Sequence, residues 1–217
     1  MVEFEPRFTE AIYLDTECYV PLQDRGHSQG SLIVNPGNLR HFLLGGVFRR
    51  EFPLQNRVFQ PEHIWNWGID NEKDTLVKIY EYFRQSWKMI EGKSPRHPDL
   101  TLIGFGISRF DIPMIFLRSL LNRVDSTEKL YEAYFKTKIV DLGNVGIPLF
   151  PKSQYRVLYP TLVNDLTLRL RIENRKPSGK GVWDMYDARE FDAIKERTAD
   201  EVEMVRKISS RIISRDF

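Results

Sequence analysis

The sequence contains very little cysteine and no long apolar run. Cys18 is the single cysteine among the 217 residues, which excludes an internal disulfide and a zinc site built from several cysteines. Nowhere do about 18 apolar residues follow one another, so no transmembrane helix is predicted. The opening residues, MVEFEPRFTE, contain acids where a secretory signal has basic residues before an apolar block. These absences predict an intracellular, cytoplasmic protein with no membrane partner.

The sequence also lacks low-complexity tracts, internal repeats and an excess of either charge. Lys and Arg number 32 against 30 Asp and Glu, and the net charge of +2 argues neither for nor against a nucleic-acid partner. Hydrophobic residues make up 41% and aromatic residues 12% of the chain, which is ample for a packed core. We therefore predict one domain over residues 1–217.

The apolar pattern predicts strands followed by alternating helices and strands. The predicted strands are 10–15, 31–34, 41–52, 100–107 and 137–142, and the predicted helices are 71–91, one that begins near Pro113, and 187–214. Two glycines in HFLLGGVFRREF indicate a bulge or close packing. Loop insertions are predicted near 53–70, 143–160 and 173–187, which are irregular or rich in Pro, Gly and charge. This order predicts an α/β fold with a mixed sheet flanked by helices.

Two carboxylates stand at the end of the first predicted strand, in IYLDTECYVP. Residues two apart in a strand point to the same face, so Asp15 and Glu17 should project side by side. Asp111, in LIGFGISRFDIPMI, follows another buried strand and should lie at the same end of the sheet. Three converging carboxylates predict a site for a hard divalent cation such as Mg²⁺ or Mn²⁺. The alternative is that the strand acids are solvated and Asp111 caps a helix.

Three features resemble the DEDD exonuclease superfamily, both in sequence and in their order along the chain. They are the YLDTE motif, the LIGFGISRFDIPMI motif and an acidic helix near the C-terminus. The second motif, with its Phe-Asp-Ile-Pro sequence, is most similar to that of exonuclease domains related to the proofreading domains of family-B DNA polymerases. The resemblance covers roughly residues 10–212 and implies a ribonuclease H-like fold. It also implies 3'-to-5' hydrolysis of phosphodiester bonds with two Mg²⁺ or Mn²⁺ ions, for which Asp15, Glu17 and Asp111 would be ligands. Asp15 would be shared between the two ions.

The last motif departs from the family pattern. In the family, a Tyr four residues or a His five residues before a final Asp orients the attacking water. In AIKERTADEVEMVRKISSRII, residue type favours Asp200 as the fourth ligand, whereas helical periodicity favours Glu201, which lies at the edge of the apolar face. The Glu201 register places Arg197 at the tyrosine position. Arg197 stays protonated and cannot act as a general base, although it could bind a phosphate.

Other residues are candidates for nucleic-acid contacts. Trp65 and Trp67 could stack on unpaired bases or cover the sheet, and Arg175 and Lys176 lie in a basic run that contacts phosphates or is a solvated loop. Asp141, at a strand end, is predicted to cap a turn or support the metal site. The predicted partner is the 3' end of a single-stranded nucleic acid, DNA in preference to RNA, together with a replication or repair protein. The alternative is a catalytically degenerate module that binds nucleic acid or a protein.

Overall fold

A computed structural model describes residues 9–25, 34–68, 71–93, 99–149, 160–173 and 181–214. Most of the predicted strand at 31–34 lies outside these residues. Six strands form one mixed sheet: β1 (Glu10–Tyr19), β2 (Phe42–Phe52), β3 (Arg57–Val58), β4 (Glu62–Trp65), β5 (Leu100–Gly104) and β6 (Lys138–Asp141). The strand order is β3-β2-β1-β5-β6, and β4 also pairs with β2.

The central strand β1 separates two kinds of pairing. It runs antiparallel to β2 and parallel to β5, and β6 continues the parallel half. Beyond Tyr13, which pairs with Ile103, β1 extends past the end of β5. One edge of the backbone of β1 is therefore available to side chains from the segment that follows β5.

Seven α-helices of the described residues flank the sheet: α1 (Glu72–Lys93), α2 (Asp111–Leu121), α3 (Thr127–Phe135), α4 (Leu142–Leu149), α5 (Val163–Arg169), α6 (Gly181–Asp187) and α7 (Phe191–Ser214). Alternate residues of β1 are buried against different layers. Ile12 and Leu14 join the core formed with α1, α2 and α3, whereas Ala11 and Tyr13 join the core formed with α5 and α7. Because both faces are covered, residues 11–14 of β1 form a continuous apolar run in the sequence.

This arrangement is an α/β fold with a mixed sheet flanked by helices, as the sequence predicts, and it is consistent with a ribonuclease H-like fold. The predicted bulge is also confirmed, since the register of β1 and β2 shifts between Glu17 and Cys18. Among the described residues, no helix combines the length and hydropathy needed to cross a membrane.

The boundaries of several loops are wrong. The segment predicted as irregular at 55–70 contains β3 and β4, the loop at 143–160 contains most of α4, and the loop at 173–187 contains α6. Tertiary packing overrides weak helix propensity in α4, where a Cβ on Gly146 would lie 2.8 Å from Thr161. The absence of a side chain there lets the helix approach the next segment closely.

Candidate metal centre

Asp15 and Glu17 lie on the face of β1 that packs against α7. They continue the two-residue repeat of Ala11 and Tyr13, so both carboxylates point to the same layer. Asp15 is buried, with 8% of its surface exposed, and Glu17 is partly buried. The predicted side-by-side geometry of the two acids is therefore present.

The neighbouring strand approaches these acids closely because two glycines face them. Gly45 pairs with Glu17, and Gly46 pairs with Thr16. A Cβ on Gly46 would lie 2.6 Å from the carbonyl oxygen of Asp15 and 2.9 Å from the Thr16 methyl group. Gly45 has a φ of 135°, a conformation that favours glycine. The Gly-Gly pair thus lies beside the bulge in β1, where the register shifts directly after Glu17.

Glu201 on α7 completes a cluster with the two strand acids. One carboxylate oxygen from each of Asp15, Glu17 and Glu201 lies within 4.8 Å of the others. Glu201 is 3% exposed, whereas its neighbour Asp200 is exposed on the outer side of α7. Of the two registers left open by the sequence, the structure brings Glu201, and not Asp200, to the strand acids. We call these three residues the acid cluster.

Arg197 and Thr198 contact the acid cluster from one turn earlier on α7. The Nε and Nη2 atoms of Arg197 donate to Oε1 of Glu201 at 3.0 and 3.1 Å, and both side chains are buried. The Thr198 hydroxyl lies 3.4 Å from Oε1 of Glu17 and donates to the Ile194 carbonyl at 2.8 Å. Arg197 is therefore an ion-pair partner of Glu201.

The Arg197 to Glu201 ion pair was not predicted, although the sequence contains a signal for it. Oppositely charged residues four apart on a helix are neighbours. Thr198 could have been found in the same way, because it is three residues before Glu201 and lies on the same helix face.

The donor set of the acid cluster fits a divalent cation. Three carboxylates whose oxygens lie within 4.8 Å of one another concentrate negative charge in a largely buried place, and carboxylate oxygens are the ligands that Mg²⁺ and Mn²⁺ prefer. Like charges at this separation repel one another unless positive charge lies between them. Asp15, Glu17 and Glu201 are the residues that would hold the ion.

Asp111 lies beside the cluster but is not part of it. It begins α2, is 3% exposed, and its Oδ1 accepts hydrogen bonds from the Thr16 N–H at 3.0 Å and the Thr16 hydroxyl at 2.7 Å. Thr16 points to the face of β1 opposite to that of its neighbours Asp15 and Glu17. Asp111 therefore approaches the same strand end along the open edge of β1, where β5 has already ended.

Asp141, at the end of β6, holds the loop that leads to Asp111. Its Oδ1 accepts from the N–H groups of Gly106 at 3.0 Å and Gly143 at 3.2 Å, and its Oδ2 accepts from the Ser108 hydroxyl at 2.7 Å. Gly106 has a φ of 71°, which favours glycine. The prediction that Asp141 caps a turn is confirmed, and this turn fixes the start of α2.

Helix α6 covers the end of β1 beside the acid cluster. Trp183 Nε1 donates to the Cys18 carbonyl at 2.9 Å, and Arg25 pairs with Asp184 and Asp187 at 3.0 and 2.6 Å. The Tyr19 hydroxyl donates to Asp187 at 2.6 Å. Burial and this hydrogen bond raise the pKa of Tyr19 to about 12, so the phenol stays protonated.

Trp65 and Trp67 form part of an internal aromatic stack. Their rings are 5.3 Å apart and nearly parallel, and Phe191 stacks on Trp67 at 4.5 Å. The Trp67 ring is thus stacked between two others, and its carbonyl accepts from the Tyr186 hydroxyl at 2.7 Å. Of the two sequence interpretations, the geometry favours a cover on the sheet over an open platform for bases.

The predicted phosphate contacts at the basic run are not placed by the structure, and two arginines of β2 are already paired. Arg175 and Lys176 lie outside the described residues. Arg49 pairs with Glu203, and Arg50 lies 3.6 Å from Glu10 and over the Tyr82 ring. These two arginines form ion pairs within the fold.

Cys18, next to Glu17 in sequence, is buried on the opposite face of the sheet among apolar side chains. Burial, together with the nearby carboxylates of Asp111 and Glu17, raises the pKa of its thiol well above the ordinary value. A protonated, buried thiol is a poor nucleophile, so we assign Cys18 no chemical role.

Neither the family models nor the curated proteins compared with this chain include a match.

Proposed function

We propose that this protein is a DEDD-type exonuclease that hydrolyses phosphodiester bonds from the 3' end of single-stranded DNA, with divalent cations bound at the acid cluster. The observation that carries the proposal is the convergence of Asp15, Glu17 and Glu201 at the end of the central strand of a ribonuclease H-like fold. Two of these acids come from the motif that resembles the superfamily, and the third comes from the last helix.

A bound Mg²⁺ or Mn²⁺ would polarise the phosphate and acidify a water molecule. The chain's own groups position the ligands. Arg197 holds the Glu201 carboxylate by a two-pronged hydrogen bond, and Thr198 lies within hydrogen-bonding distance of Glu17. Asp111, which is hydrogen-bonded to Thr16, is the acid that a second cation would share with Asp15. None of these contacts supplies a general base.

A second candidate function is that of a catalytically degenerate module that binds nucleic acid or a protein partner. The observation that favours it is the ion pair between Arg197 and Glu201, because a guanidinium occupies one oxygen of the last acid and cannot accept a proton. Cleavage in the presence of metal separates the two functions.

The decisive experiment follows a 5'-labelled single-stranded oligodeoxynucleotide with Mg²⁺, with Mn²⁺ and with chelator. We expect metal-dependent products that shorten from the 3' end. Asp15→Asn and Glu201→Gln should reduce the rate at least about a thousandfold, which corresponds to about 4 kcal/mol of transition-state stabilisation. Asp200→Asn is the matched control, since it removes an adjacent charge from the exposed side of the same helix.

The results separate the alternatives. Equal rates for the wild-type protein and Asp15→Asn would refute the proposed site. Binding of the strand without cleavage would favour the degenerate module. A covalently closed circular substrate that is nicked would instead indicate an endonuclease on the same fold. An RNA oligonucleotide of the same sequence tests the expected preference for DNA.

A further inference from the structure

A basic groove lies between the C-terminal half of α7 and the segment that follows α5. Its volume is about 590 Å³, and its lining includes Arg171, Arg206, Lys207, Ser210 and Arg211, with Glu173 as its acid. This volume lies within the range of ligand-binding sites. Among the described residues that line the groove, four cationic side chains against one carboxylate concentrate positive charge in a chain whose net charge is only +2.

The charge of α7 changes sign along its length. Residues 191–203 include five acids, among them Glu201, whereas residues 204–214 contain no acid and include Arg206, Lys207 and Arg211. Cations near a helix C-terminus are favoured by the helix dipole, which accounts for part of this pattern. It does not account for Arg171, which reaches the same groove from outside α7.

Two of the groove's cations form no salt bridge with the residues that the structure describes. Arg206 forms ion pairs with Glu203 at 2.9 Å and with Glu51 at 3.7 Å. Among the described residues, Lys207 and Arg211 form no salt bridge, and both are exposed. These two side chains can therefore bind an anion without first breaking an internal ion pair.

The groove is separate from the acid cluster. At about 100° per residue, Ser210 lies roughly opposite Glu201 around the axis of α7. Ser210 also lies about 13 Å further along that axis than Glu201. A ligand held there does not contact the acids, and its binding can be measured without cleavage.

We infer that this groove binds the phosphodiester backbone of a single-stranded nucleic acid, at a site distinct from the acid cluster. Arginine, lysine and serine side chains are the groups that commonly contact phosphate oxygens, and the unpaired cations supply the charge complementarity. The groove would hold the strand outside the cleavage site. This inference goes beyond the proposed function, and it does not require the protein to cleave.

The test is fluorescence anisotropy of a labelled single-stranded oligodeoxynucleotide with the full chain in chelator, over a series of salt concentrations. The double variant Lys207→Gln/Arg211→Gln should raise Kd at least about fivefold and reduce the salt slope by about 1 to 2. Glu173→Gln should lower Kd, because it removes the groove's acid. The matched control is Lys73→Gln/Lys88→Gln, which removes two exposed cations from α1 on the other face of the sheet and should change Kd less than twofold.

The two groove variants should change Kd in opposite directions, and a general loss of folding would not do this. Circular dichroism checks in parallel that each variant is folded. An unchanged Kd for both groove variants would overturn the inference. Equal weakening by the groove pair and the control pair would also overturn it, because the binding would then follow net charge alone. A competition experiment compares polyglutamate with unlabelled DNA at equal total charge. If polyglutamate competes equally well, the inference is overturned, and the ligand is an acidic protein.

Discussion

Two of the groups of charged side chains that the protein buries differ in composition. On the side of α1 and α2, Glu72 and Arg118 form a balanced pair, each with 2–3% of its surface exposed. On the side of α7, three carboxylates lie within 4.8 Å of one another, and Arg197 pairs with one of them. Buried charges are stable when they are paired and fully hydrogen-bonded. The first group meets that condition with its own residues, and the second brings like charges together.

The contacts of Glu72 and Arg118 show how complete the balanced pair is. Oε1 of Glu72 accepts from the Leu43 N–H at 2.7 Å and from Arg118 Nε at 2.9 Å, and Oε2 accepts from Asn122 at 3.0 Å and from Arg118 Nη2. Nη1 of Arg118 donates to two carbonyls in the loop before β2. The pair thus joins α1, α2 and β2, and its role is structural.

The largest expected effect comes from breaking the balanced pair. Arg118→Met should lower the free energy of unfolding by about 3–5 kcal/mol, because the Glu72 carboxylate would stay buried without its partner. Chemical denaturation measures the change. Arg84→Met, an exposed arginine on α1, is the control and should change stability by no more than about 0.5 kcal/mol. A loss of less than 1 kcal/mol for Arg118→Met would show that the pair does not stabilise the fold.

The response to divalent cations sharpens the comparison. A cation that binds only the folded protein should stabilise it by about 2.7 kcal/mol at a hundred times its Kd. Thermal unfolding with and without Mn²⁺ should show this for the wild-type protein and for Asp200→Asn, but not for Glu201→Gln. If Glu201→Gln is stabilised as much as the wild type, the ion binds elsewhere.

A smaller effect is expected where β2 approaches the acids. Gly46→Ala would place a Cβ 2.6 Å from the Asp15 carbonyl oxygen, so we expect a loss of about 2 kcal/mol from overpacking and a weaker response to Mn²⁺. At Gly68 the nearest atom to an added Cβ is 4.0 Å away, so Gly68→Ala is the matched control. Similar denaturation midpoints for both variants would contradict the close packing.

The sequence predicted most of the elements that carry the acid cluster. The two-residue repeat of β1 placed Asp15 and Glu17 together, and helical periodicity favoured Glu201, which the structure brings to them. Local rules suffice there, because each depends only on the geometry of one regular element. Residue type favoured Asp200 instead, because the type of a residue does not encode which side of its helix faces the sheet.

The placement of Asp111 could not be derived in the same way. Whether it joins the cluster depends on where β5 ends beside β1 and on the loop that Asp141 holds, and both are tertiary features. The short helices α4 and α6 were missed for a related reason. Their glycine-containing sequences have weak helix propensity, and packing against neighbouring segments decides their conformation.

The hydrogen bond from the Thr16 N–H to Asp111 has a consequence for hydrogen exchange. In this part of β1 the pairing with β5 has ended, and the Thr16 amide donates instead to a side chain of α2. Its exchange rate therefore reports the position of one carboxylate. If Asp111 moves to ligate a second cation, metal should speed exchange at this single amide while it slows exchange around Glu201.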